Sequence, residues 1–213
     1  MAHVSIFDDI GIFGATADDL IAQIGNAQKL SLTINSRGGD SRTAWKVFDA
    51  LADRQVECDI IGACYSSAII IAQSAARIRV EQSARLMVHP ARTWILADEI
   101  ELFEAAKTMR ATNGRLRELF ALKTGQTAAT VAGWMDGKDH YFSAPEAVAA
   151  GLAHDIFTLP PAQPIEPGAP TPPGPTPDET LFFNFLRAFG PFHVQDLARF
   201  ERGVASWIAY HTK

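Results

Sequence analysis

The chain has 213 residues, of which 47% are hydrophobic and 20% charged, and this composition is typical of a folded globular protein. Its 19 Lys and Arg against 24 Asp and Glu give a net charge of -5, which provides no broad basic surface for nucleic acid. The apolar stretches are too short to span a membrane, and the first residues lack the features of a signal peptide, so we expect a cytoplasmic protein.

The cysteine and histidine residues predict neither a metal site nor a disulfide framework. Cys58 and Cys64 are the only cysteines, and the six histidines do not follow a zinc-binding spacing. We interpret both cysteines as small apolar residues of a buried strand, and we expect no cofactor.

The first 75 residues predict three successive units of a strand followed by a helix, from their alternating and helical hydrophobic spacings. The predicted strands are Val4–Ile10, Leu30–Ile34 and Val56–Cys64. The predicted helices run from a cap at Thr16 to Asn26, from Thr43 to Arg54, and onward from Ser66 through an apolar run.

The next 80 residues continue the alternation. Two short strands, Arg77–Glu81 and Arg85–His89, precede a long helix over residues 98–123. Ser143 and Glu146 form a capping box that opens a further helix. We therefore predict an α/β core over residues 1–158 with mainly parallel strand pairing.

The composition changes sharply after this core. Nine of the twelve prolines lie between Pro160 and Pro177, which predicts an extended linker over residues 159–177. Residues 178–213 carry aromatic side chains at helical spacing on both sides of Gly190, which predicts a helical pair. Two short helices bury such stripes poorly alone, so we expect them to dock on the core, a sister subunit or a partner protein.

Ser66 follows a strand and opens a helix, where free backbone N–H groups favour negative charge. Such a serine can attack a carbonyl if a base removes its proton, although a serine at this place usually only caps the helix. The α/β-hydrolase motif G-x-S-x-G is excluded, because Cys64 and Ala68 stand where it requires glycine. Gly38 and Gly39 end an earlier strand in a turn that lets the backbone approach a substrate closely.

Four motifs occur in order along the chain and together resemble the Clp protease proteolytic subunit. They are Leu32-Thr-Ile-Asn-Ser-Arg-Gly-Gly39, Gly62-x-x-x-Ser66, Arg85-Leu-Met-Val-His89-Pro90, and Asp139-x-x-x-Ser143-Ala-Pro-Glu-Ala147 with Gly151-Leu152. The resemblance covers most of residues 4–157. The opening, Ile6 to Ala17, is still more similar to the Clp-related head-maturation proteases of tailed phages, which process scaffold or capsid proteins.

The resemblance implies a spiral of ββα units of the Clp and crotonase type, and a serine endopeptidase acting on polypeptides inside an oligomeric ring. It makes Ser66 the nucleophile, His89 the general base and Asp139 the carboxylate that orients the base, with Asp136 as a nearby rival. The N–H groups of Gly39 and Ser67 would form the oxyanion hole. A head-maturation role would place the protein in a phage prohead within the host cell.

The sequence also departs from the family pattern. Arg37 stands where the family usually has proline, and Tyr65 replaces a small residue before the nucleophile. The chain starts almost at its first predicted strand, without the extension that Clp subunits present to an unfoldase ring, so an ATPase partner is not expected. Two other interpretations stay open: an interaction protein with reduced catalysis, and a crotonase-like enzyme acting on acyl-CoA thioesters.

Overall fold

The computed structural model describes residues 2–11 and 14–160 of the chain. The strands are β1 Ala2–Ile6, β2 Lys29–Ser36, β3 Gln55–Tyr65, β4 Arg77–Glu81, β5 Arg85–Val88, β6 His140–Ser143 and β7 Asp155–Phe157. The helices are α1 Ala17–Ile24, α2 Ser41–Ala50, α3 Ser67–Ala72, α4 Glu99–Thr124, α5 Ala128–Trp134 and α6 Ala144–Ala149.

The strands form one mixed sheet in which the parallel path β1-β2-β3-β4-β7 is the main layer. The long strand β3 has two partners, because its first half pairs with β4 and its last three residues pair with β5. Strand β6 then pairs with β5 in the antiparallel sense. This second branch brings the ends of β3 and β5 next to the start of β6.

Helices cover the sheet, and their sequences explain why they do so. All six residues of α3 are buried, and Leu20 and Ile24 of α1 are about 1% exposed. The central strands β2 and β3 contribute fully buried side chains such as Leu30, Ile34 and Ile60. Burying apolar surface on both sides of a parallel sheet supplies the main favourable free energy of folding for such a layer.

A local irregularity redirects the end of β3 toward β5. The pairing of β2 with β3 shifts register between Ile34 and Ser36. The Asn35 side chain fills the gap by accepting the Ala63 N–H through Oδ1 at 2.9 Å. Gly62 has φ +75°, and a Cβ there would lie 2.7 Å from Asn35 Oδ1, so the bulge requires glycine.

Most predicted elements are confirmed, with four differences. Strand β1 ends at Ile6, four residues before the predicted end at Ile10. Ile10 instead forms an isolated parallel bridge with Gly39. The short elements α5, β6 and β7 lack a long hydrophobic pattern and were not predicted from the sequence. The predicted α/β core with mainly parallel strand pairing is present.

The chain divides into two units by its internal contacts. The main unit includes residues 2–92 and 104–160, and a second unit includes residues 93–103. No helix within the described ranges is both long and apolar enough to cross a membrane. The predicted linker beyond residue 160 and the predicted helical pair at 178–213 lie outside the described residues.

Candidate active site

Ser66 lies at the turn between β3 and α3 in an unusual backbone conformation. Its φ is +54° and its ψ is -123°, and Ser66 and Asp53 are the two non-glycine residues with positive φ in the described ranges. Such a conformation costs on the order of 1–3 kcal/mol, so the surrounding structure must impose it. The Ser66 N–H donates to the Met87 carbonyl of β5 at 2.8 Å, and the buried helix α3 fixes the other side.

His89 follows the last residue of β5 and contacts the serine directly. Its Nε2 lies 2.8 Å from Ser66 Oγ, and its Nδ1 lies 2.7 Å from the carbonyl oxygen of Pro90. A carbonyl oxygen can only accept, so Nδ1 carries the proton of the neutral ring. Nε2 is then the acceptor for the Ser66 hydroxyl, which is the arrangement a general base requires.

The surroundings of His89 favour its neutral form. Partial burial lowers the pKa of the imidazole below its usual value of 6.5, and the positive charge of Arg92 lowers this pKa further. The Pro90 carbonyl and Asp139 act in the opposite direction with smaller effects. The balance leaves His89 able to accept a proton at neutral pH.

Asp139 lies beside the base but is paired with another group. Val88 is opposite His140 at the end of the antiparallel β5–β6 ladder, so the next residues along the two segments are His89 and Asp139. Asp139 Oδ1, however, accepts from Arg92 Nη2 at 2.5 Å. The triad role of Asp139 therefore stays a prediction.

The rival carboxylate, Asp136, belongs to a separate small network. Its Oδ1 lies 2.8 Å from His140 Nε2 and also accepts the Lys138 N–H at 3.0 Å. The hydrogen bond with His140 is the main reason that the pKa of Asp136 is lowered. Asp136 and Asp139 thus have different partners although only two residues lie between them.

The two predicted oxyanion donors have unused N–H groups. Ile10 donates to the Gly38 carbonyl and accepts from the Asp40 N–H, which turns the Gly39 N–H away from this bridge. Within the described part of the chain, the N–H groups of Gly39 and Ser67 have no acceptor. For Ser67 this follows from its place in the first turn of α3.

Gly38 brings the glycine turn against the nucleophile. It has φ +91°, and a Cβ there would lie 2.5 Å from the Tyr65 carbonyl oxygen and 2.9 Å from both Ser66 Cβ and Ser67 N. The buried Ser36 hydroxyl accepts the Gly38 N–H at 3.1 Å and donates to the Asp8 carbonyl. Only glycine fits at this contact without moving the serine.

Sequence reasoning missed three contributors to the site. They are the Pro90 carbonyl, the Arg92 guanidinium and Asn113 of α4, whose Oδ1 accepts the Ala91 N–H at 2.7 Å. A cation three residues after the base was the available signal for Arg92.

Tyr65, which departs from the family pattern, packs edge-on against Tyr141 with ring centroids 5.7 Å apart. In the described ranges, no group of three or more His, Cys, Asp or Glu residues could hold a metal ion.

Two comparisons with known proteins place the chain among relatives. The family model described as Clp protease matches residues 15–159. Among solved structures, a point mutant of the ClpP1 protein from Listeria monocytogenes is similar with a TM-score of 0.63 and 24% sequence identity. That match covers 74% of this chain and 92% of the Listeria chain.

Proposed function

Since the chain belongs to the Clp protease family, we propose that it is a serine endopeptidase in which Ser66 is the nucleophile and His89 the general base. The observation that carries this proposal is the 2.8 Å contact between His89 Nε2 and Ser66 Oγ, with the ring proton on Nδ1. Family membership supports the serine peptidase class. It also favours the peptidase over the crotonase interpretation.

The first chemical step is acylation. Ser66 Oγ bonds to the substrate carbonyl carbon while His89 Nε2 takes the hydroxyl proton. The carbonyl oxygen becomes an oxyanion and binds the N–H groups of Gly39 and Ser67. Each such donor contributes about 10²- to 10³-fold to turnover in related chemistry.

The remaining steps restore the enzyme. The His89 imidazolium gives its proton to the leaving amine, which breaks the peptide bond and leaves an acyl group on Ser66. Water then attacks this ester while His89 takes a proton from it. The bond between Ser66 Oγ and the acyl carbon breaks, His89 returns the proton to Oγ, and the carboxylic acid product leaves. In the proposed triad, Asp139 accepts from Nδ1 and stabilises the imidazolium that forms in both halves of the reaction.

The substrates and assembly are proposed from the family. Clp proteases form oligomeric rings and act on polypeptides, and we extend both properties to this chain. Exposed apolar side chains on α4, such as Leu122 at 80% exposure, support an assembled state. Scaffold- or capsid-type proteins are the proposed substrates, in the cytoplasm or a prohead, and residues 178–213 are the proposed partner-binding segment.

A cleavage assay tests the endopeptidase function. The full chain is incubated with an unfolded protein, and the products are identified by mass spectrometry. Interior cleavage by the wild type and its loss in Ser66→Ala are expected, while Ser74→Ala should behave as wild type, since the Ser74 hydroxyl donates to the Ile71 carbonyl and not to a residue of the candidate site. Equal cleavage by Ser66→Ala would assign the activity to a contaminant.

A second candidate is an interaction protein with reduced catalysis. The pairing of Asp139 with Arg92, together with the hydrogen bond from His89 to the Pro90 carbonyl, favours it. Such a protein would retain an unfolded polypeptide in a pull-down assay without producing fragments. Retention by both wild type and Ser66→Ala, with no fragments from either, would select this alternative.

A further inference from the structure

We propose that Arg92 controls which acceptor His89 uses: while Arg92 holds Asp139, the base is oriented by the Pro90 carbonyl, and when Arg92 releases Asp139, this carboxylate takes over the Nδ1 proton. Arg92 is thus a positioning residue, and its role in turnover rests on the proposed peptidase function. The exchange moves one hydrogen bond and transfers no proton.

The geometry places the two acceptors in competition. Nδ1 has a single proton, and the Pro90 carbonyl binds it at 2.7 Å. Val88 and His140 end the β5–β6 ladder, so the next residues, His89 and Asp139, lie on neighbouring segments. Its Oδ1 is occupied by Arg92 Nη2, and this guanidinium also reaches the Gly137 carbonyl at 3.4 Å.

The two acceptors differ in what they do for catalysis. A carboxylate carries a full negative charge and stabilises the imidazolium that forms when Ser66 loses its proton. The Pro90 carbonyl is neutral, so it orients the ring but stabilises the charged ring less. Arg92 adds a positive charge near the same ring, which opposes imidazolium formation. The state in which Arg92 holds Asp139 is therefore the less active one.

The ion pair is weak enough to open and close. The side chains of Arg92 and Asp139 are 53% and 34% exposed. Exposed ion pairs of this kind shift the equilibrium between paired and separated side chains by at most about fivefold. A substantial fraction of molecules thus has Asp139 free at any time, and removing Arg92 should raise peptide turnover by up to about fivefold.

The charged groups around His89 come from two segments. Arg92 lies on the segment that follows β5, and Asp139 lies on the segment that precedes β6. Beside Asp139, Asp136 is already paired with His140 and, at 3.8 Å, with Lys138. Helix α4 contacts the turn after His89 through Asn113, whose side chain is a neutral amide. Arg92 and Asp139 are therefore the charges whose removal should change the His89 titration.

A double-mutant cycle on the His89 titration tests the proposal without relying on activity. Ring-proton NMR gives the pKa of His89 in wild type, Arg92→Met, Asp139→Asn and the double mutant, with the signals assigned by their loss in His89→Gln. Asp139→Asn should lower the pKa of His89 whether residue 92 is Arg or Met. The decrease should be up to about 0.7 pH unit larger with Met, which is the logarithm of the fivefold effect of the ion pair. An equal effect in both backgrounds would overturn the proposal.

Two further variants make the result specific. Arg92→Lys keeps the charge and should remain close to wild type in the titration. Arg77→Met removes a similarly exposed pair, with side chains of Arg77 and Asp155 58% and 46% exposed, and should leave the His89 titration unchanged. Thermal unfolding of each variant identifies any that does not fold.

Peptide cleavage separates this inference from the proposed function. Arg92→Met should cleave up to about fivefold faster than wild type, with the acid limb of its pH profile at higher pH. Slower cleavage by folded Arg92→Met would overturn the inference, because Arg92 would then support the triad. If no variant cleaves peptide while the NMR coupling is present, the proposed function fails and the role of Arg92 stands.

Discussion

The nucleophile and the carboxylate of the candidate site lie in regions of different character. Ser66 is held between a strand and a fully buried helix, with its N–H bound across the sheet and Gly38 packed against it. Asp139 lies on an exposed connection before β6, where it pairs with Arg92, whose side chain is more exposed still. The buried region determines one geometry for Ser66 and His89, whereas the exposed region allows two arrangements of the third residue.

The largest expected effect is on the buried side of this comparison. His89→Gln should reduce peptide cleavage by about 10⁶-fold, since loss of the base in such sites costs as much as loss of the nucleophile. His3→Gln is the matched control, because the His3 ring hydrogen-bonds to the side chains of Ser5 and Ser31 on the edge strand β1 and its neighbour β2. Steady-state cleavage of a fluorogenic peptide measures both. Similar rates for His89→Gln and His3→Gln would remove His89 from the mechanism.

The exposed side should show a smaller loss that depends on which carboxylate is changed. Asp139→Asn should reduce turnover by up to about 10⁴-fold, by analogy with other triads. Asp136→Asn should cost far less, because Asp136 is bound to His140 and Lys138. The same peptide assay compares the two variants. If Asp136→Asn abolishes cleavage and Asp139→Asn does not, the third residue is misassigned.

The glycine turn tests how firmly the buried side is packed. Gly38→Ala should lower the free energy of unfolding by at least about 1–3 kcal/mol and displace Ser66, because its Cβ would overlap the Tyr65 carbonyl. Gly114→Ala in α4 is the control, since nothing lies within 4 Å of its added Cβ. That change should stabilise the protein by about 0.5–1 kcal/mol. Chemical denaturation measures both free energies of unfolding. An unchanged value for Gly38→Ala would show that the turn accommodates a Cβ by a small backbone shift.

The pH profile of peptide cleavage reports the pKa of His89, which burial and Arg92 lower and Asp139 raises. From the residues alone, a hydrogen bond to Asp139 predicts a His89 pKa at or above 6.5 unless burial offsets it. Burial does offset it, and Arg92 adds to the decrease. Since the base must be neutral, kcat/KM should rise with pH through a pKa below 6.5 and then level off. An acid limb centred above 6.5 would indicate that Asp139 dominates in solution.

The smallest expected effect concerns the link between α4 and the turn after His89. Asn113→Ala removes the acceptor of the Ala91 N–H, which should cost about 1 kcal/mol of stability. Peptide turnover should fall by less than about tenfold, because the ladder to β6 still holds β5 in place. Thermal unfolding and the peptide assay measure these changes. A loss comparable to that of His89→Gln would mean that this amide governs the position of the base.

The same contrast explains what could be predicted from the sequence. The strands and helices around Ser66 have strong hydrophobic patterns, so β2 to β5, α3 and the long helix were found close to their observed bounds. The contact between Ser66 and His89 was anticipated from motifs in order. The strand β6 was not found because its four residues are too few to show a periodic pattern. The Arg92–Asp139 pair was not found because both residues lie on connections, where the partner of a charged side chain depends on the tertiary structure.

The activation of Ser66 by His89 is tested most directly by labelling with a fluorophosphonate probe, followed by peptide mapping of the full chain. We expect one adduct on Ser66, formed at a rate that rises with pH through a midpoint below 6.5. We also expect no adduct in Ser66→Ala and much slower labelling in His89→Gln. Labelling at another serine, or equal rates in wild type and His89→Gln, would contradict the assignment of an activated Ser66.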